Sequence, residues 1–165
     1  MEYDLLFKIF LFISPFISAF LASYLTYRFG IRSKKIDYLY QSRIPAYKEI
    51  STKLVEAKRY CLGKISEHSS NEFSPYYDLA GSGLQFRIDI AHVVDANEMF
   101  LTDKSKAQLA NLDEKFSLLT NAEASMFGLE DSEEKQSFYS IYPFILAEIE
   151  LCLNELYSEL GFPVV

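Results

Sequence analysis

The side chains best placed for chemistry are Asp89-x-x-His92-x-x-Asp95, with Glu98 three residues further on. On a helix such positions share a face or nearly so, setting an imidazole among carboxylates that can move protons or hold a metal ion. Helical bundles that hold two irons carry an acid-x-x-His element on each of two helices, with further carboxylates, and this chain has the element once. The simpler reading is a surface or half-buried histidine paired with a neighbouring acid.

The other candidates are weaker. His68 lies in a polar stretch with no Cys or Ser at a motif spacing. Cys61 and Cys152 have no metal-type spacing and lack the exposed electropositive setting of a reactive thiol, although Lys58 and Arg59 are near Cys61. They read as buried thiols of a domain kept in a reducing cytoplasm. Gly81-Ser82-Gly83 is not a phosphate loop, because no Gly-Lys-Ser/Thr follows it and no strand precedes it. Glu130, Asp131, Glu133 and Glu134 lack the calcium-loop pattern and read as an acidic helix start. No catalytic, cofactor-binding or metal-binding residue is assigned, and an enzyme is not expected.

The elements that would position these residues begin with a run free of charge. Ile9 to Tyr27, IFLFISPFISAFLASYLTY, lies between Lys8 and Arg28. As a helix it covers roughly 28 Å, close to the hydrocarbon thickness of a bilayer. A cleavable signal peptide would have a basic start, a shorter apolar centre and an Ala-x-Ala site. Here Glu2 and Asp4 precede the run, and Tyr24-Leu25-Thr26-Tyr27 ends it. The expectation is an uncleaved transmembrane anchor over residues 1–30, followed by a cytoplasmic helical-bundle domain over 31–165. Arg28, Arg32, Lys34 and Lys35 follow the span, so the positive-inside rule predicts an N-out, C-in topology in the inner (cell) membrane. Lys8 would snorkel at the other end, and Tyr24, Tyr27 and Tyr38 suit headgroup depth. Ser14, Ser18 and Ala22 recur every four residues, with Ala19 and Ser23 beside them, which would let two spans approach closely. The plainer account is that single spans tolerate small residues. Pro15 predicts a local kink.

Charge divides unevenly. Residues 1–35 carry five basic and two acidic groups, 36–87 seven and six, and 88–165 four and fifteen, for net charges of +3, +1 and −11. The distal acidity argues against nucleic-acid binding, since phosphates are repelled. Ordinary surface solubility explains it most simply; a dedicated acidic docking face is the other reading.

Beyond the anchor the apolar periodicity is helical throughout. A first helix is expected from about Ile36 to Ile65, with Ser42 capping a fresh start, Pro45 in the first turn and a bend at Gly30 or Pro45. Its stripe is Tyr47, Ile50, Leu54, Ala57 and Cys61, and residues 66–75 form a loop. A second helix runs within 75–100, started or interrupted near Gly81-Ser82-Gly83, with Leu84, Ile88, Ala91 and Val94 or Asp95 as its apolar positions; a strand over Ile88–Val94 is the weaker alternative. A third is capped by Thr102 or Asp103, runs through roughly Met126 with Leu109, Leu112, Phe116 and Leu119 as its stripe, and is closed by Gly128. A fourth starts at Asp131 or Ser132, passes through Phe138, Ile141, Ile145, Ile149, Cys152 and Leu156, kinks at Pro143 and stops at Gly161. Four such helices predict an all-α, antiparallel bundle.

Arg43-Ile44-Pro45-Ala46-Tyr47-Lys48-Glu49, and later Asn97-Glu98-Met99-Phe100-Leu101-Thr102-Asp103, resemble the helix opening and the helix junction of small, mostly uncharacterised bacterial single-span membrane proteins with a cytoplasmic helical bundle. The resemblance covers most of the chain, rests on short structural motifs and carries over no catalytic residue. Some proteins with this layout look like membrane effectors of bacterial anti-phage systems.

The leading expectation is therefore a non-enzymatic, membrane-anchored interaction module that docks a cytoplasmic protein partner or self-associates. The alternative is a membrane-disrupting effector activated when its transmembrane helices cluster. A third class, a metal-dependent helical enzyme, would need metal bound near His92.

Overall fold

The computed structural model describes residues 2–77, 79–127 and 138–161, with the side chains of 2–11 and 39–40 outside the description. The described residues contain no strand. They form helices α1 (Glu2–Tyr38), α2 (Ile44–His68), α3 (Gly83–Asn97), α4 (Asp103–Met126) and α5 (Ile141–Glu159), with a π-helical turn at Leu39–Arg43 and a 3-10 turn at Glu98–Phe100. The chain is all-helical as expected, and Ile88–Val94, the weaker strand candidate, lies inside α3. It divides into two compact units, Met1–Gln41 and Ser42–Val165. The sequence boundary between anchor and bundle was 30/31; the first compact unit runs on to Gln41.

In the first unit, α1 passes through Pro15 and Gly30 without ending. A side chain added at Gly30 would meet nothing within 4 Å. Among the described residues no helix is long and apolar enough to cross a membrane. The expected span is helical from Ile9 to Tyr27, and the side chains of its most apolar end, Ile9-Phe10-Leu11, lie outside the described residues. The same holds for Lys8.

The α2 start differs from expectation. Ser42 does not cap it: the cap position is Arg43, in helical geometry with no side-chain cap bond. A cap serves N–H groups left free at a fresh start, and here the chain is already helical. Pro45 still falls in the first turn. It has no N–H for the carbonyl four residues earlier and its ring crowds that position, so a widened π-turn just before it relieves the conflict.

The described helices of the second unit pack as a four-helix bundle. α2 packs on α3, α3 on α4, α4 on α5, and α5 back on α2. Bonds between helix ends set the directions. Tyr47 at the start of α2 meets Glu159 at the end of α5. Asn97 at the end of α3 meets Glu49 near the start of α2. Gly83 at the start of α3 meets Glu123 near the end of α4. Neighbours therefore run antiparallel, in up-down order. The core holds Ile50, Leu54, Ala57 and Cys61 of α2, Leu109, Leu112, Phe116 and Leu119 of α4, and Ile145, Ile149, Cys152 and Leu156 of α5. These are the stripes read from periodicity.

Two helices correct that reading. In α3 three of the expected apolar positions point outward: Leu84 is 48% and Ile88 45% exposed, and Ala91 is exposed as well, while Val94 is partly buried against the core. The inward face is Gly83, Phe86, Ile90, Val93 and Asn97. Both faces of α3 carry apolar residues, so its period alone does not choose between them. Ser82 starts this helix, accepting the Gln85 N–H at 3.2 Å. The fourth expected helix does not kink at Pro143. Phe138 is helical, Tyr139 and Ser140 form a turn, and α5 restarts at Ile141. Pro143 then sits in a first turn, where its missing N–H costs nothing. Its expected start at Asp131 or Ser132, and Gly128, lie outside the described residues. Thr102 caps α4 as expected, accepting from Ser105 N–H at 3.0 Å, and Gly161 follows α5 with a φ of 78°.

The connection from α2 to α3 folds back on α2 where Gly63 lies. A Cβ at Gly63 would stand 2.6 Å from the Tyr76 carbonyl oxygen, a backbone atom that cannot swing aside. Gly63→Ala should lower stability by about 1–3 kcal/mol, the usual range for overpacking, as measured by denaturant unfolding of the purified chain.

Candidate functional site

The most developed polar geometry in the second unit is a pair of tyrosine–carboxylate clamps, one at each end of the bundle. At the first, one Glu159 oxygen accepts from Tyr47 Oη at 2.7 Å, Thr102 Oγ1 at 2.6 Å and Ser105 Oγ at 2.6 Å. Tyr47 is 1% and Ser105 2% exposed. Arg43 donates from Nε to the Phe100 carbonyl at 2.9 Å and reaches Tyr47 Oη at 3.4 Å. Lys104 pairs with Glu155 nearby on the same two helices. Partial burial works against the Glu159 charge, and the hydroxyls of Ser105, Thr102 and Tyr47, with Lys104, outweigh it; the carboxyl is held below its ordinary range.

At the second clamp, Glu123 Oε1 accepts from Tyr60 Oη at 2.7 Å and from Tyr142 Oη at 3.3 Å. Its other oxygen accepts the Gly83 N–H at 2.7 Å. The Tyr60 ring lies 5.0 Å from Phe86 and 6.1 Å, edge-on, from Tyr142. Burial first, and then the carboxylate, push both phenols well above their ordinary value. A phenol so held donates a hydrogen bond and does not ionise near neutrality. Both clamps join helix ends through charge-assisted bonds, and neither aims a free group into a cavity.

Sequence reading missed these residues except Thr102, taken as a cap, and Tyr47, taken as one more apolar position. A signal was present. Glu123 and Glu159 stand in the last turns of α4 and α5, where a helix's own dipole disfavours an anion.

The sequence candidates for chemistry stay apart. Asp89 accepts from Gln85 Nε2 at 2.7 Å, while His92 and Asp95 are exposed. Among the described residues no three His, Cys, Asp or Glu side chains gather as a metal site would need. His68 is the last residue of α2, stacked on Tyr139 at 4.5 Å between ring centroids. Glu130, Asp131, Glu133 and Glu134 lie outside the described residues. Cys61 and Cys152 are free and buried. Burial, then Glu123 for Cys61 and Glu155 for Cys152, push each thiol up to about 12.

In the first unit, Ser18, Ala19, Ala22 and Ser23 are exposed and Ser14 partly so. Ser18 Oγ donates to the Ser14 carbonyl at 2.9 Å. Its hydrogen is thus used within the helix, leaving lone pairs for a neighbour. Two residues out of step, Phe12, Phe16 and Phe20 line the opposite side. Arg28, Arg32, Lys34 and Lys35 are exposed, with no ion pair among the described residues.

The Glu159 carboxyl has a lowered folded-state value. Its contribution is therefore complete above the ordinary carboxylate range and is lost as pH falls through the lowered value. Acid unfolding of the wild type should be steeper than that of Glu159→Gln, which has no charge to lose. Glu159→Ala, which strands the buried Tyr47 and Ser105 hydroxyls, should cost about 1–3 kcal/mol at neutral pH by denaturant unfolding. Both cysteines should react with a thiol reagent at pH 8 about a thousandfold more slowly than a free cysteine, and at the ordinary rate once the chain is unfolded.

No family model, curated protein or solved structure matches the chain.

Proposed function

We propose that the chain is a non-enzymatic, membrane-anchored interaction module. α1 crosses the inner membrane of a bacterial cell once, N-out, and the bundle on the cytoplasmic side docks a protein partner or further copies of the chain. The observation that carries this reading is the exposure of α1. Phe12, Phe16 and Phe20 are 74%, 68% and 75% exposed on one side, and Ile13, Ile17 and Leu21 are exposed beside them. A helix with large apolar groups turned outward in several directions has no single inward face to bury, and hydrocarbon is the surrounding that suits it. Four exposed basic residues at its C-terminal side then give the direction by the positive-inside rule. The docking half of the reading draws on the exposed apolar residues Leu84 and Ile88 of α3.

Removing residues 1–33 should move the chain from the membrane pellet to the supernatant and abolish its cellular function. Full function from the cytosol would sink the anchoring reading. Changing Arg28, Arg32, Lys34 and Lys35 together to Gln should raise the N-in fraction, read with a C-terminal topology reporter.

A second reading, a membrane-disrupting effector of anti-phage defence triggered by clustering, draws on the uncovered Ser14/Ser18/Ala22 face opposite the phenylalanine ridge. Expression alone and with genomic neighbours while membrane potential is followed separates the two. An undisturbed potential under every triggering condition removes the effector.

A further inference from the structure

Along the outer face of α3 a helical apolar stripe is left without a partner among the described residues. Leu84, Ile88 and Ala91 are exposed and Val94 partly so, and α4 adds Leu109 and Ala110 to form a groove of about 530 Å³. Two cross-helix ion pairs bound it. Arg87 holds Asp113 through two 2.7 Å bonds, and Lys106 meets Glu98 at 3.2 Å. Both rim cations are thus already neutralised. Asp95 is exposed on the groove with no ion pair among the described residues. With both cations paired, the charge left over on the rim of the apolar floor is the Asp95 carboxylate, and Arg87, Lys106, Asp95, Glu98 and Asp113 leave the groove net negative.

That charge chooses among occupants. A second copy would bring the same acidic rim against this one, and an anionic lipid surface would be repelled. We infer that the α3/α4 groove docks an amphipathic helix of a basic partner protein, its apolar side on Leu84, Ile88 and Ala91 and a Lys or Arg on Asp95. From Leu84 to Asp95 the stripe spans roughly 17 Å, room for about three turns of a partner presenting anchors at i, i+3 or i+4, and i+7. The inference rests on the interaction-module reading and names the surface and partner chemistry that reading leaves open.

The test uses the full chain in zwitterionic lipid nanodiscs and a fluorescent, helix-forming Leu/Lys peptide, with a Leu/Glu peptide and empty nanodiscs as controls. Saturable binding of the Leu/Lys peptide is expected, weakened about tenfold by Ile88→Ser and about tenfold by Asp95→Lys, with no binding of the Leu/Glu peptide. Both positions are exposed, so unchanged melting curves for the variants will show that the bundle is intact. Binding that is absent, unaffected by either variant, or equal for the two peptides overturns the inference. So does concentration-dependent dimerisation in sedimentation that Ile88→Ser abolishes, which would assign the groove to a second copy. A chain that stays out of membranes fails the anchoring reading instead, and the same titration without nanodiscs then still tests the groove.

Discussion

A carboxylate in the last turn of a helix is badly placed against that helix's own dipole, and this bundle depends on two of them. Antiparallel packing resolves the conflict. The end of one helix lies beside the beginning of its neighbour, where free N–H groups and hydroxyl caps favour an anion. Glu123, ending α4, takes the first N–H of α3, and Glu159, ending α5, takes the Thr102 and Ser105 hydroxyls at the start of α4. Tyr60 and Tyr47 of α2 complete each clamp from across the bundle. The Glu159 clamp joins three helices at one end and the Glu123 clamp four at the other, so the two acids help set the register of the bundle alongside the apolar core.

The clamps also decide which way α3 faces. Its first residue is bound to Glu123, and a side chain on Gly83 would stand 2.9 Å from Leu119. Its last residue, Asn97, donates to Glu49 at 2.9 Å. Phe86 lies against Tyr60 between these ends. With both ends and one ring held, Leu84, Ile88 and Ala91 face outward. The exposed stripe is a consequence of the same polar contacts that close the bundle, and it leaves a surface available for docking.

How much was legible depended on whether a segment carried one apolar face or two. α4 has a single stripe and a capping threonine, so its start, end and core residues were all readable from Thr102 to Met126. α2 was readable along its stripe but not at its start, because Ser42 looks like a cap only if the chain is not already helical there. α5 looked longer than it is, since Phe138, Ile141 and Ile145 keep the helical period across the turn at Tyr139-Ser140. Asp89, His92 and Asp95 suggested a site through shared spacing, yet spacing places residues on one helix only. A site needs groups from a second helix, and among the described residues no such cluster gathers around them.

The sequence by itself determined the helical class, the charge-free run, its basic collar and the acidic distal portion, because these depend on local periodicity and composition. Only the tertiary structure decided which side of α3 is buried, that Tyr47 and Tyr60 are hydrogen-bond donors as well as core residues, and that Glu123 and Glu159 are held at the heads of neighbouring helices. Those outcomes rest on contacts between residues far apart in the chain, such as the 112 positions separating Tyr47 from Glu159. No local pattern encodes such a pairing, and the free energy that selects it arises only when helix ends meet.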